Sequence, residues 1–595
     1  MGIVQPQIYR VSFLLLALVA TFLLYPARLA TRGRVTIVDW LLIALTAISL
    51  AWPIVDFDQL VYRAATPNSI DLVLGSILIV LILEATRRTV GWVLPFTAVL
   101  FLVYAYVGPL LDLVGLSLLG HRGYDIDRLI GTLYLSLEGI FGVPLDVAST
   151  YIILFTIYGA VLEFSGAGTF FLDWAMAATS RSSTGAGPGR TVAVAGFFLG
   201  MVSGSGVANT VMLGAVAWPM LRRSGYTPDT GGAILAAAGI GAIIAPPVMG
   251  AAAFLIAEFL NISYLQVIVM AFLPAALYYL SILLMIEADS RRMKTRPVQI
   301  GSVSLWKLTL QRGYHFISPF SIAGLMMTGL SAFRAVFYAT LIAAAFSFIE
   351  RVHALHPRRL FAALEAGGRN VLSVAATTAT AGIIVGIMVL TGLGLKVAGI
   401  IVTLAGGSLP LTVVYAALAV WLLGLAVPVT ASYIIAAVMI APALTKVGVA
   451  PFAAHMFIFY YAVLSEVSPP TALSPFAAAA LTGGNPFRTT MLTWKYTLPA
   501  FLVPFAFTIT PHGVGLLMRG PLLDIVWVTT SAAAGVAALA VGLGGWLRAA
   551  ANLFERSLAI IASLLLFYAG AMTSFAGVVL FAIIIGMHVM RTRHS

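Results

Sequence analysis

Long apolar runs separated by short charged loops dominate this chain. Stretches 11–25, 35–55, 70–84 and 91–107 are each predicted to form a membrane helix, since ~20 apolar residues cross a bilayer. Arg28, Arg32 and Arg34 follow the first stretch; Asp56, Asp58 and Asp71 flank the loop after the second; Arg87 and Arg88 follow the third. The excess of Lys and Arg in cytoplasmic loops puts the arginine loops inside, and 56–68 and the N-terminus outside. No strongly basic run precedes the first stretch, so it reads as a retained span, not a cleaved signal. Residues 109–146 mix glycines with Arg122, Asp125, Asp127 and Arg128 and read as a boundary with a surface helix. A second apolar region runs over 145–509. Arg291, Arg292, Lys294 and Arg296 form a basic cytoplasmic connector near its middle, and another basic loop covers 351–359. Two or three further spans end at Arg591 and Arg593, which favours a cytoplasmic C-terminus. The chain divides into 1–125, 126–515 and 516–595.

A duplication crosses the central region. Pro219, Pro228, Pro246 and Pro247 recur as Pro442, Pro451, Pro469 and Pro470 at one offset (442 − 219 = 223). Leu221 and Gly225 match Leu444 and Gly448, and Arg223 matches Lys446 in charge. Four places inside apolar runs break helix rules: M-V-S-G-S-G-V-A-N (201–209), A-P-P-V-M-G-A (245–251), G-L-A-V-P-V-T-A-S (424–432) and E-V-S-P-P-T-A-L-S-P (466–475). Proline removes a backbone donor, and glycine and serine weaken helix further. Backbone groups freed at membrane depth must line an enclosed cavity or bind something. Carbonyls and hydroxyls suit a hard cation such as Na⁺, and helix N-termini suit a carboxylate. The offset pairs the first break with the third and the second with the fourth, as a two-fold-related site requires. The bland alternative is that the prolines only kink transmembrane helices.

Composition narrows the function. The chain has 595 residues, 61% hydrophobic and 9% charged, with mean hydropathy +1.04; soluble domains carry about 25% charged residues. This is an all-α polytopic membrane protein. The net charge of +12 follows from basic loops, and nucleic-acid binding is not expected. Without cysteine there are no disulfides, thiolate metal sites or thiol redox chemistry. There is no G-x-x-x-x-G-K-[ST], no H-E-x-x-H and no evident nucleophile–base pair, so neither ATP hydrolysis nor enzyme catalysis is expected.

The segments S-G-S-G-V-A-N (203–209), A-P-P-V-M-G-A-A-A-F-L-I-A-E-F (245–259), T-G-L-G-L-K (391–396) and S-P-P-T-A-L (468–473) resemble the large permease subunit of tripartite ATP-independent periplasmic (TRAP) transporters. L-E-A-T-R-R-T-V-G-W (83–92) and E-G-I-F-G-V-P-L (138–145) resemble the form in which a small four-helix subunit is fused ahead of the large one, a form that generally works with a TAXI-type periplasmic binding protein. The resemblance covers roughly 35–590. It implies an inverted-repeat elevator transporter in the bacterial inner membrane, with two helical hairpins tipped at 203–209 and 427–432 and two broken helices opened at 245–250 and 467–474. It further implies an N-terminal four-helix-type small-subunit region over 1–125. An ion gradient, of Na⁺ or H⁺, would drive import of a small organic acid, with no cofactor. One cation would lie between the first tip and first loop, at Ser203, Gly204, Ser205, Gly206, Pro246 and Gly250. The other would lie between their repeats, at Gly424, Val427, Thr430, Ser468 and Thr471. Substrate would lie between them, near Asn209, Thr210, Thr430 and Ser432. Two departures stand out: G-L-A-V-P-V-T replaces a more glycine-rich third break, and Glu466 stands where the family tends to have a small residue.

Single residues carry paired readings. Glu466, beside Pro469, reads as a proton-coupling or cation-binding carboxylate, or as a cavity-facing or interfacial acid. Asn209 binds a substrate carboxylate, caps its half-helix, or does both. Ser203, Ser205, Thr430 and Ser432 serve ions and substrate or bond their own backbone. Glu163, Lys396 and His455 read as structural, Arg222 and Arg223 as cytoplasmic anchors, and Trp174, Trp494 and Trp527 as interfacial belts. The rival function is an ion antiporter, or an organic-anion transporter that needs no binding protein; residues 1–108 would then go unexplained. An ATP-driven transporter's membrane subunit is a third reading.

Overall fold

The computed structural model describes residues 5–27, 35–113, 115–179, 185–298, 304–425 and 427–593; Arg28, Arg32 and Arg34 lie outside them. Among the described residues the structure is helical, with one isolated bridge between Trp546 and Ala550. Among the described residues ten helices are long and apolar enough to cross a membrane. The first helix, Pro6–Leu24, starts earlier than its apolar run, because proline's fixed φ suits a first helical turn. The surface helix expected within 109–146 is instead short turns, Gly108–Leu111 and Ser117–Leu119, followed by Ile126–Ile130 and Gly131–Leu135. Gly115 and Gly123 each take φ of +77° there, which ends helical propagation. The C-terminal segment forms three helices, Leu522–Gly544, Leu553–Phe567 and Ala571–Arg593.

Two compact units divide the chain. The first comprises Met1–Ile157, Phe254–Asn261 and Leu364–Gly448; the second comprises Tyr158–Ala253, Ile262–Ala363 and Val449–Ser595.

In the first unit, helices Ile37–Val55 and Ser69–Val90 each open on a capping box, Thr36 with Asp39 and Asn68 with Asp71. Each box satisfies two otherwise orphaned amides. The same two acids also take ion pairs: Arg88 reaches Asp39 at 2.7 Å and Arg63 reaches Asp71 at 3.0 Å. Leu14, Phe22, Leu50, Leu78 and Ile82 form one core with Tyr134, Ile383 and Ile387. Buried Thr86 and Thr380 hydroxyls meet at 2.7 Å within it.

The second unit is built on close helix approach. Helix Pro228–Ile244 is buried at every position from Thr230 onward, as expected of a helix apolar on all faces. Gly196 and Gly200 of helix Gly187–Ser203 lie against Ala238 and Ala242; a Cβ on either glycine would come within 3 Å of them. Small residues therefore set the spacing between helices. Asp289, at the end of helix Tyr264–Arg292, takes Lys495 Nζ at 2.5 Å and Tyr496 Oη at 2.6 Å.

The duplication is visible in the backbone. Helix Gly206–Ser224 matches Val429–Lys446, and helix Pro228–Ile244 matches Pro451–Leu464, each pair starting at the repeat offset. Pro246–Pro247 and Pro469–Pro470 are both cis. Left-handed residues recur in register, Gly225 (φ +100°) with Gly448 (φ +97°) and Met249 (φ +56°) with Ala472 (φ +33°).

Candidate functional site

The first break is two residues wide. Helix Gly187–Ser203 ends on Gly204, whose φ of +58° closes the last turn, and Ser205 caps helix Gly206–Ser224 by accepting from the Ala208 amide. Ser203 Oγ lies 3.4 Å from both the amide and the carbonyl oxygen of Ser205. These hydroxyls bond their own backbone through long contacts. The tip is therefore shorter than 203–209: Asn209 and Thr210 lie inside the following helix.

The second break follows Ile244. Its chain turns back so that the Gly250 amide donates to the Ile243 carbonyl at 2.8 Å. Tyr264 Oη donates to Val248 O at 2.5 Å and to Pro247 O at 2.9 Å, which holds two loop carbonyls in place. The first tip and first loop come together. A Cβ on Gly204 would lie 2.9 Å from the Met249 carbonyl oxygen, and one on Gly250 would lie 3.6 Å from the Gly204 carbonyl oxygen. Of the first cation set, Gly204 and Gly250 meet here, with Ser203 and Ser205 flanking Gly204, Pro246 on the same loop and Gly206 opening the next helix. Backbone carbonyls and hydroxyls are hard oxygen donors, the chemistry a Na⁺-like ion takes. Among the described residues no group of three His, Asp or Glu side chains gathers to hold a metal.

Asn209 is fully buried, not at the tip. Its Nδ2 donates to Gly196 O at 3.0 Å and Gly239 O at 3.5 Å, tying three helices, and its Oδ1 is unpartnered among the described residues. Thr210 is equally buried and donates to Gly206 O at 2.8 Å.

The third break lies in the first unit. Helix Leu409–Gly424 ends, and Val429–Lys446 starts after Pro428. Thr430 and Ser432 occupy the first turn of the new helix, and Val427 precedes it. Ser432, the repeat counterpart of Asn209, is also fully buried with its Oγ unpartnered among the described residues. Such a pair of open buried oxygens at matched positions is unusual, because buried polar groups normally find partners.

The fourth break lies in the second unit. A short turn, Ser465–Val467, leads into the cis Pro469–Pro470 bond, and helix Leu473–Thr482 follows. Ser468 Oγ donates to Leu464 O at 2.8 Å, and Trp494 Nε1 donates to Val467 O at 3.0 Å. Thr471, beyond the cis bond, is partly exposed. Glu466 Oε1 accepts from Ser474 Oγ at 2.8 Å, and the Val207 amide faces the same carboxylate. A Cβ on Gly206 would lie 2.7 Å from Glu466 Oε1. The acid of the second copy thus touches the helix that opens from the first copy's tip.

Sequence reasoning missed Ser474, Tyr264 and the clamping role of Trp494, which was expected in an interfacial belt. Ser474 stood inside the quoted motif as a hydroxyl beyond the acid. Tyr264 gave no local signal. Lys396 is not isolated: its ammonium donates to Gly120 O.

A family model described as "Tripartite ATP-independent periplasmic transporter, DctM component" matches residues 77–512. The search of individual curated proteins finds no match.

Proposed function

We propose, for a chain that belongs to the family of the tripartite ATP-independent periplasmic transporter DctM component, that it imports a small organic acid delivered by a periplasmic substrate-binding protein. The family is one of organic-acid transporters, and the chain is a multi-pass inner-membrane protein. In this reading an ion gradient, of Na⁺ or H⁺, drives an elevator movement, and no chemistry is done on the solute. The binding protein is of the TAXI type, and residues 1–125 stand in for the small subunit.

The observation that carries the reading is the meeting of the first tip and first loop. Gly204, Met249 and Gly250 bring opened helix ends together inside a helical membrane protein, where backbone oxygens persist only around an enclosed site. Ser203, Ser205 and Gly206 extend that oxygen-lined region as a cation site, with Pro246 shaping the loop. For the second cation, Gly424, Val427 and Thr430 sit at the matching break of the first unit, and Ser468 and Thr471 sit at that of the second. Toward the solute, Asn209 beside Thr210 in the second unit and Ser432 beside Thr430 in the first each keep one buried oxygen without a partner among the described residues.

The test is uptake into proteoliposomes holding the permease, with its binding protein outside and a panel of radiolabelled carboxylates. Accumulation that requires both the binding protein and an imposed Na⁺ or H⁺ gradient is expected. Uptake that proceeds equally without the binding protein would replace this reading with the binding-protein-independent one.

A further inference from the structure

Four carboxylates are fully buried among the described residues, and each has a cation. Asp39 has Arg88, Asp71 has Arg63, Asp289 has Lys495 and Glu555 has Arg591. Buried charge without such a partner is costly. Glu466, set in a helix break and partly exposed, has none: no Lys, Arg or His among the described residues pairs with it. Its partners are neutral donors, the Ser474 hydroxyl and the Val207 amide.

The elements packed around it add no charge among the described residues. Helix Gly206–Ser224 presents Gly206 and Val207, helix Pro228–Ile244 presents Ile243, and helix Leu473–Thr482 presents Ser474. Helix Tyr264–Arg292 presents Tyr278, whose hydroxyl is already given to Ala237 O at 2.7 Å. Helix Pro486–Ile509 presents the Trp494 indole to the next residue, Val467, while its Lys495 is committed to Asp289. The repeat counterparts of Glu466 and Ser474 are Ile243 and Ala251. The carboxylate and its hydroxyl therefore exist once, in the second copy, yet they hold the first copy's helix start.

We infer that Glu466 is the proton-accepting group of the transport cycle, and that its charge clasps the Gly206–Val207 helix start to the Glu466–Ser474 segment. This rests on the import reading above and makes H⁺ a driving ion. The charged carboxylate accepts from both donors. A proton taken from water on the outer side forms an O–H bond on one carboxyl oxygen, which then donates instead of accepting. The clasp on the helix N-terminus is lost with the charge that its dipole favours. Release of the same proton to water on the inner side restores the clasp.

The native chain has no cysteine, so one spin label on Ala208→Cys, an exposed position beside the tip, reports the tip without background. In proteoliposomes, label mobility is expected to rise on acidification as a single-proton transition. Glu466→Gln is expected to be mobile at every pH and to lose at least about tenfold of H⁺-driven uptake, while counterflow exchange of solute persists. Ser474→Ala is expected to keep the transition with a displaced midpoint, and it tests the clasp if Glu466→Gln fails to fold. A wild-type label that does not titrate, a transition that survives in Glu466→Gln, or a Ser474→Ala midpoint that does not move would each overturn the inference. If the label titrates as expected but no solute enters under any gradient, the import reading fails and the clasp stands.

Discussion

The two copies of the repeat share a backbone plan and differ in what fills it. Both break a helix before an equivalent start, Gly206 and Val429, and both open a loop on a cis proline pair. In the first copy the contacts between tip and loop are backbone and glycine, with Ile243 behind them. In the second copy the loop carries Glu466 and Ser474, and its tip has Val427 where the first has Gly204. The same fold thus brings together backbone carbonyls and glycines in one copy and a carboxylate with a hydroxyl in the other. Duplication preserves helix boundaries because proline and glycine set them locally. Side-chain chemistry is free to diverge, since it depends on what each copy meets.

The largest effect is expected from replacing the glycine of the first tip. Gly204→Val forces a β-branched residue to φ +58° with its Cβ against the Met249 carbonyl. The left-handed backbone alone costs roughly 1–2 kcal/mol, and the clash displaces the loop. Uptake is expected to fall by at least about tenfold, which is what 1.4 kcal/mol corresponds to. Val427→Gly, at the matched position, introduces no strained backbone and is expected to lower uptake less than Gly204→Val does. Equal losses in the two variants would mean that the copies are functionally alike.

The matched pair Asn209 and Ser432 sharpens the comparison. Asn209→Ala removes a bridge to Gly196 and Gly239 and is expected to destabilise by about 1–3 kcal/mol, read as a lower melting temperature of the purified protein. Ser432→Ala removes a hydroxyl that bonds nothing among the described residues, so its melting temperature is expected to be unchanged. A fall in uptake by Ser432→Ala without loss of stability would assign that hydroxyl to solute or ion.

The loop clamps come next. Tyr264→Phe frees two carbonyls of the first loop, and Trp494→Phe frees one of the second. At about 1 kcal/mol for a typical hydrogen bond, Tyr264→Phe is expected to change the half-saturating concentration of the coupling ion by about fivefold, and Trp494→Phe by less. The reverse order would make the second loop the better-defined site.

The smallest effect is a control on pH. Glu350, in the loop before helix Pro357–Thr391, is held down to about 2, chiefly by hydrogen bonds from Arg312 and also by His353, against the opposing effect of burial. Because its folded value lies below the unfolded one, its stabilisation is present above the ordinary carboxylate range, about 4.3, and is lost as pH falls toward about 2. Between pH 5 and 8 the Glu350 carboxylate is expected to stay charged. Glu350→Gln should therefore leave any transport-linked transition in that window where it was.

Much of the plan was legible along the chain. The apolar runs, the proline offset and the four breaks each follow from residues close in sequence. Hydrophobic length decides what can span a bilayer, and proline and glycine decide where a helix stops. The repeat register is accordingly recovered at Gly206 and Val429, at Pro228 and Pro451, and at Met249 and Ala472. The short turns Gly108–Leu111 and Ser117–Leu119 were not legible, because no local rule says how glycines and charges share a boundary. The site was legible as a set of segments and not as a set of contacts.

Short-range sterics and hydrophobic length, both written along the chain, set the membrane class, the duplication and the places where helices open. Only the tertiary structure decided that Asn209 is a buried bridge, that Tyr264 and Trp494 hold loop carbonyls, and that Glu466 meets Gly206. Those contacts join residues far apart in the chain. A carboxylate's role depends on which donors and which cations the fold brings to it, and spacing along the chain does not encode that.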